Sequence, residues 1–342
     1  MVAGTATINE ILKSYQNSKL IPFVGAGFPK NIERFPAWTD FVNKDLAGEL
    51  RKLPGADLPS GKKLSEMFGG GSAGNIKATE YYIYKKGRHK LKKKYSNARL
   101  EEQSWEKIVE VGKGELANLL QRKFGDIELR MGDSECEKNW KAYIEFIKLD
   151  NFPTIYTTNW DPTLEEVSEK ILPIDKKYEL TCTVDKLREC IINRKRPIIY
   201  YHGYFGERDT IVATESDYFQ RLMAKHFFEV KFHHDLLHYD FLFIGFSFED
   251  WFVSYILYQA NQSMREVPLK NLPNVFLVSI GSPNKTRDEY FELAGIKTYN
   301  ICEVGGCGLV NNKKECKEKR SRAKPCTRRF FIEFFEQLEK VK

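Results

Sequence analysis

Four apolar runs, each ending in a motif of small or polar residues, constrain this chain more than any other feature. They are Leu20-Ile-Pro-Phe-Val-Gly-Ala-Gly27, Thr154-Ile-Tyr-Thr-Thr-Asn-Trp-Asp161, Ile198-Ile-Tyr-Tyr-His-Gly203 and Phe241-Leu-Phe-Ile-Gly-Phe-Ser-Phe-Glu-Asp250. Each run reads as a strand. In an open α/β sheet, ligands bind outside the carboxyl ends of the strands. Motifs at four such ends converge on one crevice: a Gly-rich turn, an Asn/Asp pair, a His and a Gly/Ser turn.

Each motif has a chemical role and a plainer rival. Gly25 and Gly27, flanking Ala26, let the backbone turn tightly and approach a pyrophosphate at a helix N-terminus; the rival is an ordinary strand-to-helix turn. Asp40 lies where the dinucleotide fingerprint expects a ribose-binding acid, but no strand precedes it. Asn159 and Asp161 are two apart and so share a face of an extended segment. Pro162 suits the first turn of a helix, which makes Asp161 a candidate helix cap as well as a ligand group. The Asn159 amide can orient a water or a carboxamide through its donor and its acceptor.

His202 stands at a strand end, where its ring can serve as a general base near neutral pH. His226, His233, His234 and His238 read instead as residues of a solvated or half-buried helix. Gly245 permits backbone approach, and the Ser247 hydroxyl can bond phosphate, ribose or the start of a helix. Asp250 completes that edge.

Strand-like runs fall at about 20–24, 154–157, 197–201, 241–245, 275–280 and 297–301. With helical segments between most of them, they predict a doubly wound, Rossmann-like parallel sheet of about six strands. The first two runs are too far apart for one crossover, so residues 45–145 must form an inserted, mostly helical subdomain. Within it, Gly69–Gly74 reads as a flexible loop, a candidate cover for the crevice. Apolar spacing over Trp105 to Phe124 predicts an amphipathic helix. The expected organisation is one domain over 1–301 and a Cys/Lys-rich extension over 302–342 that ends in an aromatic-rich helix.

Taken together, Gly-Ala-Gly, Thr-x-Asn-x-Asp, His-Gly and the late Gly-x-Ser resemble the signature of sirtuins, which consume NAD. The stretches 156–161, 202–218 and 243–250, with Pro36-Ala37-Trp38, resemble most the divergent sirtuin-like domains of bacterial antiphage defence proteins. The likeness runs from about residue 10 to 300, with a poorly matched stretch from about 45 to 145. It implies cleavage of the nicotinamide–ribose bond. Asn159 and His202 would be the catalytic pair, and Gly25, Ala26, Gly27, Thr158, Asp161, Gly245, Ser247 and Asp250 would hold the dinucleotide. Protein-deacylating sirtuins carry a zinc module of two Cys-x-x-Cys pairs, and this chain has no Cys-x-x-Cys. Their Gly-x-Pro-x-Phe-Arg segment is replaced by Phe28-Pro29-Lys30-Asn31. Without the zinc module the acyl-lysine cleft loses one wall, which points to hydrolysis by water rather than deacylation. An NAD/ADP-ribose sensor without catalysis and an ADP-ribosyltransferase remain as alternatives. The resemblance also implies a homo-oligomer and an activating partner such as a DNA-translocase-type (HerA-like) ATPase.

Seven cysteines, without framework spacing, suggest reduced thiols. The N-terminus lacks signal-peptide character and no apolar run could span a membrane, so a cytoplasmic location is expected. Cys302, Cys307, Cys316 and Cys326 lack paired zinc-ligand spacing, and no metal is expected. Charge is concentrated: 313–329 holds nine Lys/Arg against two Glu, and 85–94 holds seven Lys/Arg. Such runs are solvated faces, nucleic-acid contacts or docking sites for an acidic partner.

Overall fold

The computed structural model describes residues 6–32, 35–55, 58–59, 61–224, 226–246, 248, 250–265, 273–281, 284–304 and 324–340. Its centre is an all-parallel sheet of seven strands: β1 (Leu20–Val24), β2 (Ile155–Thr157), β3 (Tyr178–Thr181), β4 (Arg196–Tyr200), β5 (Asp240–Ile244), β6 (Val275–Ser279) and β7 (Ile296–Asn300). Their spatial order is β3-β4-β2-β1-β5-β6-β7. The chain builds outward from β1 on one side, then returns to build on the other, so β1 marks the topological switch point. This is the doubly wound class expected from the sequence, with one strand more. Strand β3, Tyr-Glu-Leu-Thr, is short, lies at the sheet edge and carries only two fully buried residues, at its ends. It therefore lacks the continuous apolar run that announces the others.

Every residue of β1 is buried, as a central parallel strand covered on both faces requires. Alternate residues enter opposite layers. Leu20, Val24, Leu242, Ile244, Phe276 and Val278 join one apolar cluster. Ile21, Phe23, Phe241, Phe243, Val275 and Leu277 join the other. Pro22 has no amide hydrogen, yet it sits in this central strand. Strand β2 pairs only with Phe23 and Val24, beyond the proline, so no ladder bond on that side is lost.

The insertion is helical, as its position demanded, and it shares the first of these clusters: Ala78, Tyr82, Ile83, Leu116 and Leu120 join Val24 and Phe28 there. The helix Trp105–Phe124 has the bounds its spacing predicts. The glycine stretch 69–74 departs from expectation. Only Gly69 and Gly70 precede the helix Gly71–Lys92, and Gly71 to Gly74 form its first turn. A Cβ on Gly74 would lie 2.5 Å from the Ser65 carbonyl oxygen, so close packing rather than flexibility requires glycine there. Where this helix crosses Trp105–Phe124, Gly87 faces the Ile108 carbonyl and Gly112 faces the Ile83 carbonyl, each too near for a side chain.

The aromatic-rich helix Lys324–Glu339 packs back on the fold, burying Phe330, Phe331, Phe334, Phe335 and Leu338. Phe331 and Phe335 meet Phe28 edge-on at ring separations of 5.2 and 5.9 Å. Among the described residues, no helix is long and apolar enough to cross a membrane.

Candidate functional site

The turns after β1 and β5 lie side by side and continue the ladder between those strands. Gly25 N–H donates to Ile244 O at 2.9 Å, and Gly27 N–H donates to Gly245 O at 2.8 Å. A Cβ on Gly27 would stand 2.6 Å from Gly245 O, and one on Gly25 would stand 2.7 Å from the same atom. Neither Gly25 nor Gly27 has a positive φ, whereas Gly245 has φ 65°. Both glycines after β1 are thus required first by the contact between the two turns. Ala26, Gly27 and Gly245 also line a large cavity along the carboxyl ends of the strands, with a volume of about 1280 Å³. That exceeds the roughly 300–1,000 Å³ of ordinary small-molecule sites.

The segment after β2 is tied to β1. Thr157 Oγ1 donates to Val24 O at 3.0 Å and accepts from Asn159 N–H at 3.0 Å. Thr158 N–H donates to Val24 O at 3.2 Å. Asn159 is buried and turns its amide nitrogen towards Gly25 O at 3.4 Å. Asp161 is buried too, and its Oδ1 accepts from the backbone and the hydroxyl of Thr163. Asp161 thus holds the first residue of the helix Thr163–Ile171 across its N-cap, Pro162, and burial raises its pKa above its ordinary value. Thr158, Asn159 and Asp161 all line the cavity, so the bond of Asp161 to the helix start and its place at the cavity coexist.

His202 stands two residues past β4 and is 5% exposed. Its Nε2 lies 2.7 Å from Asp250 Oδ2, while its Nδ1 is buried without a partner. The phenol of Tyr218 is 3.4 Å from Nε2; burial, with Asp250 close by, holds that phenol well above its ordinary pKa and therefore protonated. Trp160 donates from Nε1 to His202 O at 3.0 Å and meets Trp38 edge-on at 4.7 Å. His226, His233, His234 and His238 fall where expected, at the start of the helix Phe227–His238 and along it.

The structure thus brings Ala26, Gly27, Thr158, Asn159, Asp161, His202, Gly245 and Asp250 to one cavity. Gly25 supports it through its carbonyl. Ser247 lies outside the described residues. Asp250, read from sequence as a dinucleotide contact, is the carboxylate partner of His202. Asp40 lines the cavity from the short turn Trp38–Asp40, is half exposed and pairs with Lys44 at 3.4 Å.

The sequence offered Gly69–Gly74 as a cover for the crevice, and Ser72 of that stretch does line it, but as part of a helix whose Asn75 and Ile76 were missed. Ser72, Asn75 and Ile76, from the first turns of the helix Gly71–Lys92, face the cavity with Trp38 and Lys44. Asn75 donates to Thr39 Oγ1 at 2.9 Å, and its buried Oδ1 has no partner. No periodicity marks this residue, because the turn it occupies reads as a glycine loop. Among the described residues, no group of three or more His, Cys, Asp or Glu could hold a metal ion. Of the four clustered cysteines, Cys307 and Cys316 lie outside the described residues and the Cys326 side chain is not described. Cys302 is buried and accepts from Gly281 N–H. Burial also pushes the Cys182 thiol up to about 12 and the Cys190 thiol up to about 11, which keeps both protonated.

The charged segments are partly accounted for within the fold. Lys86, Arg88 and Lys90 pair with Glu49, Glu101 and Glu115. Arg328 donates to Asn31 O, Lys138 O and Asn139 Oδ1. The rest of the 313–329 run lies outside the described residues, apart from the start of its closing helix.

A large crevice at a switch point, lined by an amide and a His–carboxylate pair, is the candidate site of this doubly wound sheet. Residues 153–299 match the family model of the SIR2-like domain. The match runs from β2 into β7 and includes Asn159, His202, Gly245 and Asp250, but it leaves out the turn after β1. No curated protein matches the chain.

Proposed function

We propose that the chain is an NAD glycohydrolase, converting NAD and water to nicotinamide and ADP-ribose. The observation that carries this reading is the meeting of Asn159 with the His202–Asp250 pair at adjacent strand ends in one cavity. A purely sensing pocket needs no base held by a carboxylate. Nicotinamide departs with the bonding electrons of the C1′–N bond, leaving an oxocarbenium-like ribose. A water oriented by the Asn159 amide attacks C1′, and its proton passes to the His202–Asp250 pair, where the carboxylate stabilises the imidazolium so formed. The SIR2-like match supports NAD as the substrate, and the absence of any Cys-x-x-Cys favours water over acyl-lysine as the acceptor.

On this reading, hydrolysis serves to deplete NAD in antiviral defence, in the cytoplasm of the host cell. Its support is the resemblance of the strand-end motifs to antiphage sirtuin-like domains. A constitutive hydrolase would kill its own cell, so activity would be released by assembly of copies of the chain or by a partner such as a DNA-translocase-type ATPase. The test is nicotinamide release from NAD by the purified chain, alone and with a candidate partner. Release with free ADP-ribose supports hydrolysis. ADP-ribose attached to protein or nucleic acid would make the chain a transferase, and NAD binding without turnover in every assembly state would make it a sensor.

A further inference from the structure

The cavity does not stop at the strands that carry the catalytic pair. It runs past β1 and β5 to β6, four inter-strand steps from β4 or roughly 19 Å. With the nicotinamide end at Asn159 and His202 and the pyrophosphate over the paired glycine turns that line the cavity, the adenosine of a dinucleotide reaches the end of β6. There Ser279 is 6% exposed, lines the cavity and has a buried hydroxyl without a partner. Arg287, on the helix Lys285–Leu293, lines the same end with Phe291, over whose ring its guanidinium lies at 5.9 Å. Its Nη2 pairs with Asp288 Oδ1 at 3.2 Å, but its Nε is buried and unpartnered.

In doubly wound dinucleotide folds, a carboxylate at the adenosine ribose accepts its 2′-hydroxyl, whereas an arginine there accommodates a 2′-phosphate. Among the described residues, β6 and its following helix contribute no acidic residue to the cavity lining. What these elements supply instead is a hydroxyl and a guanidinium, a set that suits a phosphate monoester. We propose that Arg287 and Ser279 form a 2′-phosphate site, so that the substrate class extends to NADP. This rests on the dinucleotide reading above. Asp288 competes for the guanidinium and tempers the preference.

The test uses the full chain and two mononucleotides that differ only in the group at issue, adenosine 2′,5′-bisphosphate and AMP. It also compares nicotinamide release from NADP and from NAD. Calorimetry should show tighter binding of the bisphosphate, and Arg287→Ala should cut its advantage over AMP by about ten- to a hundredfold. Arg287→Lys, which keeps the charge and the stem over Phe291, should retain part of that advantage. Asp288→Asn should raise the NADP-to-NAD ratio. Equal binding of bisphosphate and AMP by the wild-type chain overturns the proposal, as does an advantage that survives Arg287→Ala. A chain that prefers the bisphosphate yet releases nicotinamide from neither dinucleotide keeps the phosphate site and sinks the hydrolase reading. A chain that cleaves NAD but shows no preference does the reverse.

Discussion

The two walls of the cavity are held by different physics. The sheet wall stands on a parallel ladder packed on both faces, with Phe23 stacked on Phe243 at 5.0 Å and on Tyr156 at 5.7 Å. Its site residues follow the strand ends within six positions, and several are tied to neighbouring backbone. The helical wall rests on two helices that touch through Gly87 and Gly112, and on charge pairs. Glu49 binds Lys52 at 2.5 Å and Lys86 at 2.8 Å, and Lys113 reaches Asp217 at 2.6 Å. That last pair joins the walls, because Asp217 also accepts from the Ala213 and Thr214 amides beside the site. The sheet wall supplies fixed chemistry; the helical wall shares the sheet's apolar cluster through Ala78, Tyr82, Ile83, Leu116 and Leu120 and adds glycine contacts and charge pairs to it.

If this division is right, chemistry belongs to the sheet wall alone. His202→Ala should lower nicotinamide release by about 10²–10⁴-fold, the usual range for a positioned general base. Wild-type turnover in a folded His202→Ala protein, under conditions where the wild type is active, would remove the base from this wall. Rigidity should belong there as well. Gly27→Val forces a side chain against the Gly245 carbonyl, at a cost of about 1–3 kcal/mol. The loss should appear as one lowered thermal transition of the whole chain. An unchanged transition with weakened NAD binding would mean that the glycine serves the ligand and not the turn.

The same contrast explains what could be read from sequence. Strand ends announce themselves because a parallel strand is apolar on both faces and stops abruptly at a glycine or polar residue. Val24-Gly25, Tyr201-His202 and Ile244-Gly245 all show that break. The helical wall leaves no such mark. Gly71-Ser-Ala-Gly-Asn75 has the composition of a loop, and it becomes a helix because tertiary contact outweighs propensity. The bond between His202 and Asp250 was hidden for another reason. Each residue stood in its own motif, but nothing in a linear chain tells that two loops 48 residues apart turn their side chains to one point.

Asn75 probes the helical wall where it meets substrate. It lines the cavity with the Trp38–Trp160 pair, and its Oδ1 is a buried acceptor without a partner. Asn75→Ala should raise KM for NAD by about two- to tenfold and leave kcat nearly unchanged, the mark of binding lost equally from ground and transition states. A fall in kcat comparable with that of His202→Ala would break the comparison, since both walls would then share the chemistry.

The smallest effect concerns how the helical wall is held. Lys52 first and then Lys86, each bonded to the Glu49 carboxylate, pull its pKa from the ordinary 4.5 to about 2. A carboxylate lowered in the folded state adds stability above its unfolded pKa, and that stability is lost as pH falls through the folded value. The contribution should therefore be complete above about pH 5 and gone near pH 2. For a partly exposed pair it should amount to about 1 kcal/mol. Glu49→Gln should lower the midpoint of denaturant unfolding at pH 7 and converge with the wild type as the pH approaches 3 and below. Hydrogen exchange should quicken in Gly71–Lys92 before it quickens in β1 or β5, because the charge pair fastens the helix and not the sheet. A deficit of the same size at pH 7 and pH 2.5 would show that Glu49 acts by packing, and the helical wall would then be held much as the sheet is.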